Sequence, residues 1–103
     1  MIYRVRSAEV NGIKANEAFA WAVKVTIWAN EKFPTGGTQL LRNISGNPFG
    51  LHWVSSAESL GVLDELLAAA EADPEYQAMI AEARSEGYLV PGSVTDSFSR
   101  TIP

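Results

Sequence analysis

The 103-residue sequence contains no cysteine, a single histidine and fewer bases than acids. Without thiols there is no disulfide, no thiolate nucleophile and no thiolate metal site, so stability must come from a buried core. One histidine among scattered carboxylates offers none of the fixed donor spacings of a metal motif, and neither a metal nor any other cofactor is expected. Eight Lys and Arg against twelve Asp and Glu leave a net charge of −4, the wrong sign for neutralising phosphates, so nucleic acid is not an expected partner. No apolar run approaches the roughly 20 residues that cross a bilayer. The start Met1-Ile2-Tyr3-Arg4-Val5-Arg6 alternates like a strand and lacks the basic and then apolar order of a signal peptide. Membrane association is therefore not expected, and the expected location is a reducing cytoplasm. Gly36-Gly37 is not followed by the Lys-Ser/Thr of a phosphate loop, and no Gly-x-Ser-x-Gly elbow occurs.

What is present suits one globular domain over residues 1–103. Hydrophobic residues make up 47% of the chain, enough for a single core. From Ile2 to Val10, Tyr3 and Val5 alternate with Arg4 and Arg6, which predicts a half-buried strand with Tyr3 and Val5 inward. Asn11-Gly12 marks a turn, and Asn16 is the expected cap of a helix over Glu17–Phe33. Ala18, Trp21, Ala22, Val25, Trp28 and Ala29 recur along it at three- and four-residue spacing, widened by Phe19, Val23 and Ile27. So broad an apolar surface calls for cover beyond one sheet face, such as a partner chain. Thr38–Ile44 and Phe49–Ser56 are strand candidates joined by the turn formers Ser45-Gly46-Asn47-Pro48, an antiparallel hairpin. In the second of these, Phe49, Leu51 and Trp53 oppose His52. Ser55 and Glu58 have the spacing of a capping box, from which a helix runs to the Asp73-Pro74 break. A further helix follows to about Ser85, with Gly87 as its stop. In the final strand Val94, Phe98 and Ile102 share one face with Asp96 and Arg100, and Ser93, Thr95, Ser97, Ser99 and Thr101 form a hydroxyl row on the other.

The order strand, helix, strand, strand, helix, strand is a ferredoxin-like βαββαβ arrangement of α+β class. It predicts a four-stranded antiparallel sheet with the first and third strands central and the helices on one face. The face left open calls for burial in a homodimer.

With that order, the whole chain resembles the dimeric α+β barrel superfamily, which includes antibiotic biosynthesis monooxygenases, NIPSNAP-like proteins and stress-responsive barrel proteins. The segments that carry the likeness are Leu51-His52-Trp53, Ala72-Asp73-Pro74-Glu75-Tyr76-Gln77 and Gly92-Ser93-Val94-Thr95-Asp96-Ser97. The resemblance implies a homodimer whose two sheets pack face to face into a barrel, with a ligand pocket between each sheet and its own helices. It transfers no activity, because the catalytic constellations of such proteins do not align residue by residue here.

His52 is the candidate catalytic group, since an imidazole can give and take protons near neutrality; the alternative is a hydrogen-bonded structural histidine at a dimer or pocket wall. Arg4, Arg6 and Arg42 could converge on a carboxylate or an enolate oxygen, or else be solvated and ion-paired. Trp21 and Trp28 share a helical face and could stack an aromatic ligand or belong to the core. Tyr3, Trp53, Tyr88 and Phe98 are further candidate pocket walls. The expected ligand-binding set is thus Tyr3, Arg4, Arg42, Trp21, Trp28 and Trp53. The leading expectation is a small homodimeric barrel protein that binds a small, partly aromatic organic molecule between sheet and helices. A cofactor-independent monooxygenase or isomerase is the second reading, and a structural or interaction dimer with a filled core the third.

Overall fold

Alternating side chains make strands of Ile2–Glu9 (β1), Gln39–Arg42 (β2), Gly50–Ala57 (β3) and Thr95–Arg100 (β4), while the three- and four-residue apolar spacings make helices of Ala15–Lys32 (α1), Leu60–Ala72 (α2) and Pro74–Glu86 (α3). This is a computed structural model that describes all 103 residues. The strands form one antiparallel sheet in the order β2-β3-β1-β4, so β1 and β3 are central as the topology requires. β1 pairs along its whole length with β3 and over six residues with β4.

One strand is inverted relative to its expected orientation. Ile2 and Ala8 are buried, and by alternation Arg4 and Arg6 share their face toward the helices. Tyr3, Val5 and Ser7 look out on the open face. The apolar ends of β1 and the acid on β4 decide this: Arg6 lies opposite Asp96 in register, and its guanidinium is matched there. Two arginines thus stand where core residues would otherwise be, and the core divides. One cluster joins Val10, Ala18, Trp21, Ala22, Leu51, Ala83 and Tyr88; the other joins Ile2, Ala57 and Leu63. Leu51 and Val10, almost fully enclosed, each stabilise the fold by roughly 1.5–3 kcal/mol through burial.

The helices differ from expectation at their starts. Asn11, not Asn16, caps the first helical turn: its Oδ1 accepts from Ile13 N at 3.1 Å ahead of a 3-10 turn, Gly12–Lys14, that leads into α1. The cap of α2 is Ser59, whose Oγ accepts from Val62 N at 3.2 Å. Ser55 is held in the β3 ladder opposite Arg4, and backbone pairing there outweighs a capping box. α1 buries Ala18, Trp21, Ala22 and Trp28 and leaves Val23 and Ile27 exposed. Its second surface is α3 of the same chain. Trp21 Nε1 donates to Met79 O at 2.9 Å inside that contact, and Lys24–Glu82 and Lys14–Glu86 ion pairs flank it at 2.7 and 3.0 Å. Asp73 ends α2 and caps α3, with Pro74 at its first position. Gly87 closes α3 at φ +67°, a left-handed conformation that favours glycine.

Candidate functional site

The gap between the two core clusters is a cavity of about 180 Å³. Its floor is the helix side of the sheet, with Arg4 and Arg6 from β1 and Trp53 and Ser55 from β3. Its roof is α2, through Leu63, Leu66, Leu67 and Ala70, and its walls are Trp21, Val25, Trp28 and Phe33 on one side and Tyr76 and Ile80 of α3 on another. An apolar cavity of about 150 Å³ is enough to enclose a benzene ring, so the space suits a single ring with small substituents.

All three tryptophans of the chain line this cavity. Trp28 stacks on Tyr76 with ring centroids 5.3 Å apart and meets Phe33 edge-on at 5.7 Å. Trp21 meets Trp53 edge-on at 6.1 Å, and Trp53 Nε1 donates to Thr26 Oγ1 at 3.1 Å. These contacts pre-set the aromatic walls at the geometries that ring quadrupoles favour. Asn30 brackets the rim: its amide donates to Thr38 O and accepts from Thr38 N, both at 2.9 Å, tying the loop after α1 back onto that helix.

The polar floor is unequal. Arg6 grips both oxygens of Asp96, Nε to Oδ1 at 2.8 Å and Nη2 to Oδ2 at 2.9 Å, and its Nη1 reaches Tyr76 Oη at 3.4 Å. Those hydrogen bonds hold the Arg6 guanidinium above its ordinary pKa and the Asp96 carboxyl below its own. Arg4 is left over. Its Nε is buried without a hydrogen-bond partner, and the nearest carboxylate oxygen, Asp96 Oδ1, is 3.7 Å away. Burial, then the like charge of Arg6, push the Arg4 pKa down. Glu71 is the one acidic side chain among the lining residues, and it sits at the exposed rim.

Of the residues expected at a site, Arg4, Trp21, Trp28 and Trp53 line this cavity together. Tyr3 is on the opposite face of the sheet, 42% exposed, because β1 is inverted. Arg42 is outside as well, stacked over the Phe19 ring with its guanidinium carbon 3.9 Å from the centroid. His52 also belongs to the far face, since it alternates with Leu51 and Trp53. There it sits between two strands: Nδ1 is 2.7 Å from Ser7 Oγ and Nε2 is 2.7 Å from Asn43 Oδ1. The Asn43 amide donates to Asn47 O at 2.9 Å, which orients its oxygen toward the ring. His52 Nε2 is therefore a donor, and in the neutral ring Nδ1 accepts from Ser7. This relay links β1, β3 and the end of β2 and does not reach the cavity. Arg6 and Tyr76 complete the cavity but are absent from the expected ligand-binding set. Asp96, which anchors Arg6, shares the parity of Phe98 on β4, and that shared parity was the available signal. No three metal-donor side chains converge anywhere in the chain, and no helix is long and apolar enough to cross a membrane.

No protein-family model matches the chain, and neither does any curated protein. Solved structures do. A NIPSNAP family protein from Agrobacterium tumefaciens superposes with a TM-score of 0.77 at 17% identity, covering 98% of this chain and 92% of that one. A NIPSNAP domain protein from Burkholderia xenovorans gives 0.76 at 15% identity, with 99% and 95% covered. An antibiotic biosynthesis monooxygenase gives 0.76 at 8% identity over the whole of both chains. At such identities the likeness is one of fold. The chain has the ferredoxin-like α+β fold that antibiotic biosynthesis monooxygenases and NIPSNAP proteins share.

Proposed function

We propose that the protein binds a small, partly aromatic organic molecule between its sheet and its helices. The observation that carries this is an aromatic-walled cavity of about 180 Å³ with charge on its floor, placed where a well-packed domain would continue its core. A filled-core structural dimer would have no use for that gap. Because Trp21, Trp28 and Trp53 all line it, titration of single-ring compounds followed by indole NMR signals tests the reading directly. Shifts confined to these three indoles support it; a panel that moves none of them at millimolar concentration removes it.

A second reading, cofactor-independent oxygenation or isomerisation, is favoured by one feature. A buried guanidinium can stabilise an enolate oxygen, and one of the solved structures of this fold is an antibiotic biosynthesis monooxygenase. Against it, no imidazole enters the cavity, and its lining carboxylate, Glu71, is at the rim. Oxygen uptake with polyphenolic substrates, without added metal or flavin, is the test; a rate indistinguishable from the buffer control disposes of this reading.

The homodimer belongs to the same proposal. Tyr3 and Leu41 are 42% and 47% exposed on the open sheet face, beside half-buried Val5 and Val54, and a second copy would cover them. A stable monomer in sedimentation at micromolar concentration would exclude it. The location consistent with a chain free of cysteine is a reducing cytoplasm.

A further inference from the structure

The two buried side-chain polar atoms of this chain that lack a partner are Arg4 Nε and Trp28 Nε1. Both residues line the cavity, and both atoms are donors. Trp28 is only 7% exposed and the Arg4 side chain 15%, so neither is freely served by bulk water. An unmet buried donor costs on the order of 1–3 kcal/mol, more when charged, and both belong to residues that line one cavity, a lining better suited to a group that accepts than to one that donates.

The charge balance gives the sign. Two guanidinium groups face the cavity and share one carboxylate, Asp96, whose two oxygens are both taken by Arg6. Glu71, the other acid nearby, is at the exposed rim and Tyr76 is occupied by Arg6 Nη1. Two guanidinium groups against one carboxylate leave a net positive charge on the floor, and burial, then the like charge of Arg6, lower the Arg4 pKa although Asp96 opposes them.

We propose that the ligand is a planar aromatic carboxylate, its ring between the tryptophan walls and α2 and its carboxylate on the Arg4 guanidinium. This rests on the reading that the cavity takes a small molecule. A carboxylate supplies acceptor oxygens only, matches the guanidinium fork in two parallel hydrogen bonds and cancels the surplus charge. A ring plus a carboxylate also suits the volume.

The test compares benzoate with benzamide, and 4-methylbenzoate with 4-methylbenzamide, at neutral pH by calorimetry and indole NMR. Each pair has nearly one shape and differs by one charge. The wild-type protein is expected to bind the carboxylates at least tenfold more tightly than the amides, with an affinity that falls as salt rises. Arg4→Met is expected to abolish that preference, bringing the carboxylates down to the affinity of the amides. Asp96→Asn removes the competing carboxylate and is expected to tighten carboxylate binding several-fold, an effect that loss of structure would not mimic. Amides that bind wild type as well as the carboxylates do would overturn the proposal and leave small-molecule binding standing. A preference that survives Arg4→Met would overturn it too. Absence of binding by all four compounds would overturn this proposal together with the reading of the cavity.

Discussion

Asp96 is the residue on which most of the buried charge depends. Its carboxyl is held below the usual value, first by hydrogen bonds from Arg6, so the folded state keeps it ionised to lower pH than the unfolded chain does. The stability it contributes is complete above the unfolded pKa and is lost as pH falls through the folded one. Asp96→Asn should lower stability at pH 7 by about 1 kcal/mol, since the group is partly exposed. The deficit should shrink once pH drops below about 4; urea midpoints of both proteins against pH check this, and a constant gap would refute it. Gly50 is a second sensitive position. A Cβ there would run into the Asn43 amide and approach Asn47 O to 3.3 Å. Gly50→Ala should therefore break the Asn43–His52 contact and cost roughly 1–3 kcal/mol. The same substitution should cost much less in an Asn43→Ala background, a double-mutant cycle that isolates the clash. Residue identity alone made His52 the candidate of interest. The neighbours that occupy it, Ser7 and Asn43, are 45 and 9 positions away and become visible only when the strand register is known.

Element positions were more legible than element orientations. Two-residue alternation, turn formers and the Asp73-Pro74 break located all four strands and the α2–α3 boundary, because those signals are local. The direction in which β1 faces was not local. Tyr3 and Val5 outrank Arg4 and Arg6 in hydrophobicity, yet the matching acid on β4 and the apolar pair Ile2 and Ala8 turn the arginines inward, so four of the cavity-lining residues stood in the expected ligand-binding set, Arg6 was weighed but left out of it, and Tyr76 was not named as a candidate. The Ser55 box failed for the same reason, since the β1 ladder claims that residue. α3 covers part of α1, through Trp21, and leaves Val23 and Ile27 exposed. Where capping was local it should be measurable: Asp73 accepts from Glu75 N at 2.8 Å and Tyr76 N at 3.4 Å, and Asp73→Ala should cost about 1 kcal/mol. A shifted urea midpoint with an unchanged slope is the expected result; no shift would show that Pro74 alone starts α3.

Across the molecule, protection is uneven. β1 is hydrogen-bonded to both neighbours, whereas α2 buries only Leu63 and leaves Leu60 53% exposed. Amide hydrogen exchange should be slowest in β1 and β3 and much faster in α2, because local opening follows the apolar contact each element would lose. Equal protection of α2 and β1 would contradict this. The division runs through the cavity, which has its charged floor on the best-held strand and its roof on the least-held helix. For the guest proposed above, affinity and residence time should then depend on different layers. Changes to the floor should act chiefly on how tightly such a guest is held, while changes that loosen α2 should act chiefly on how fast it arrives and departs.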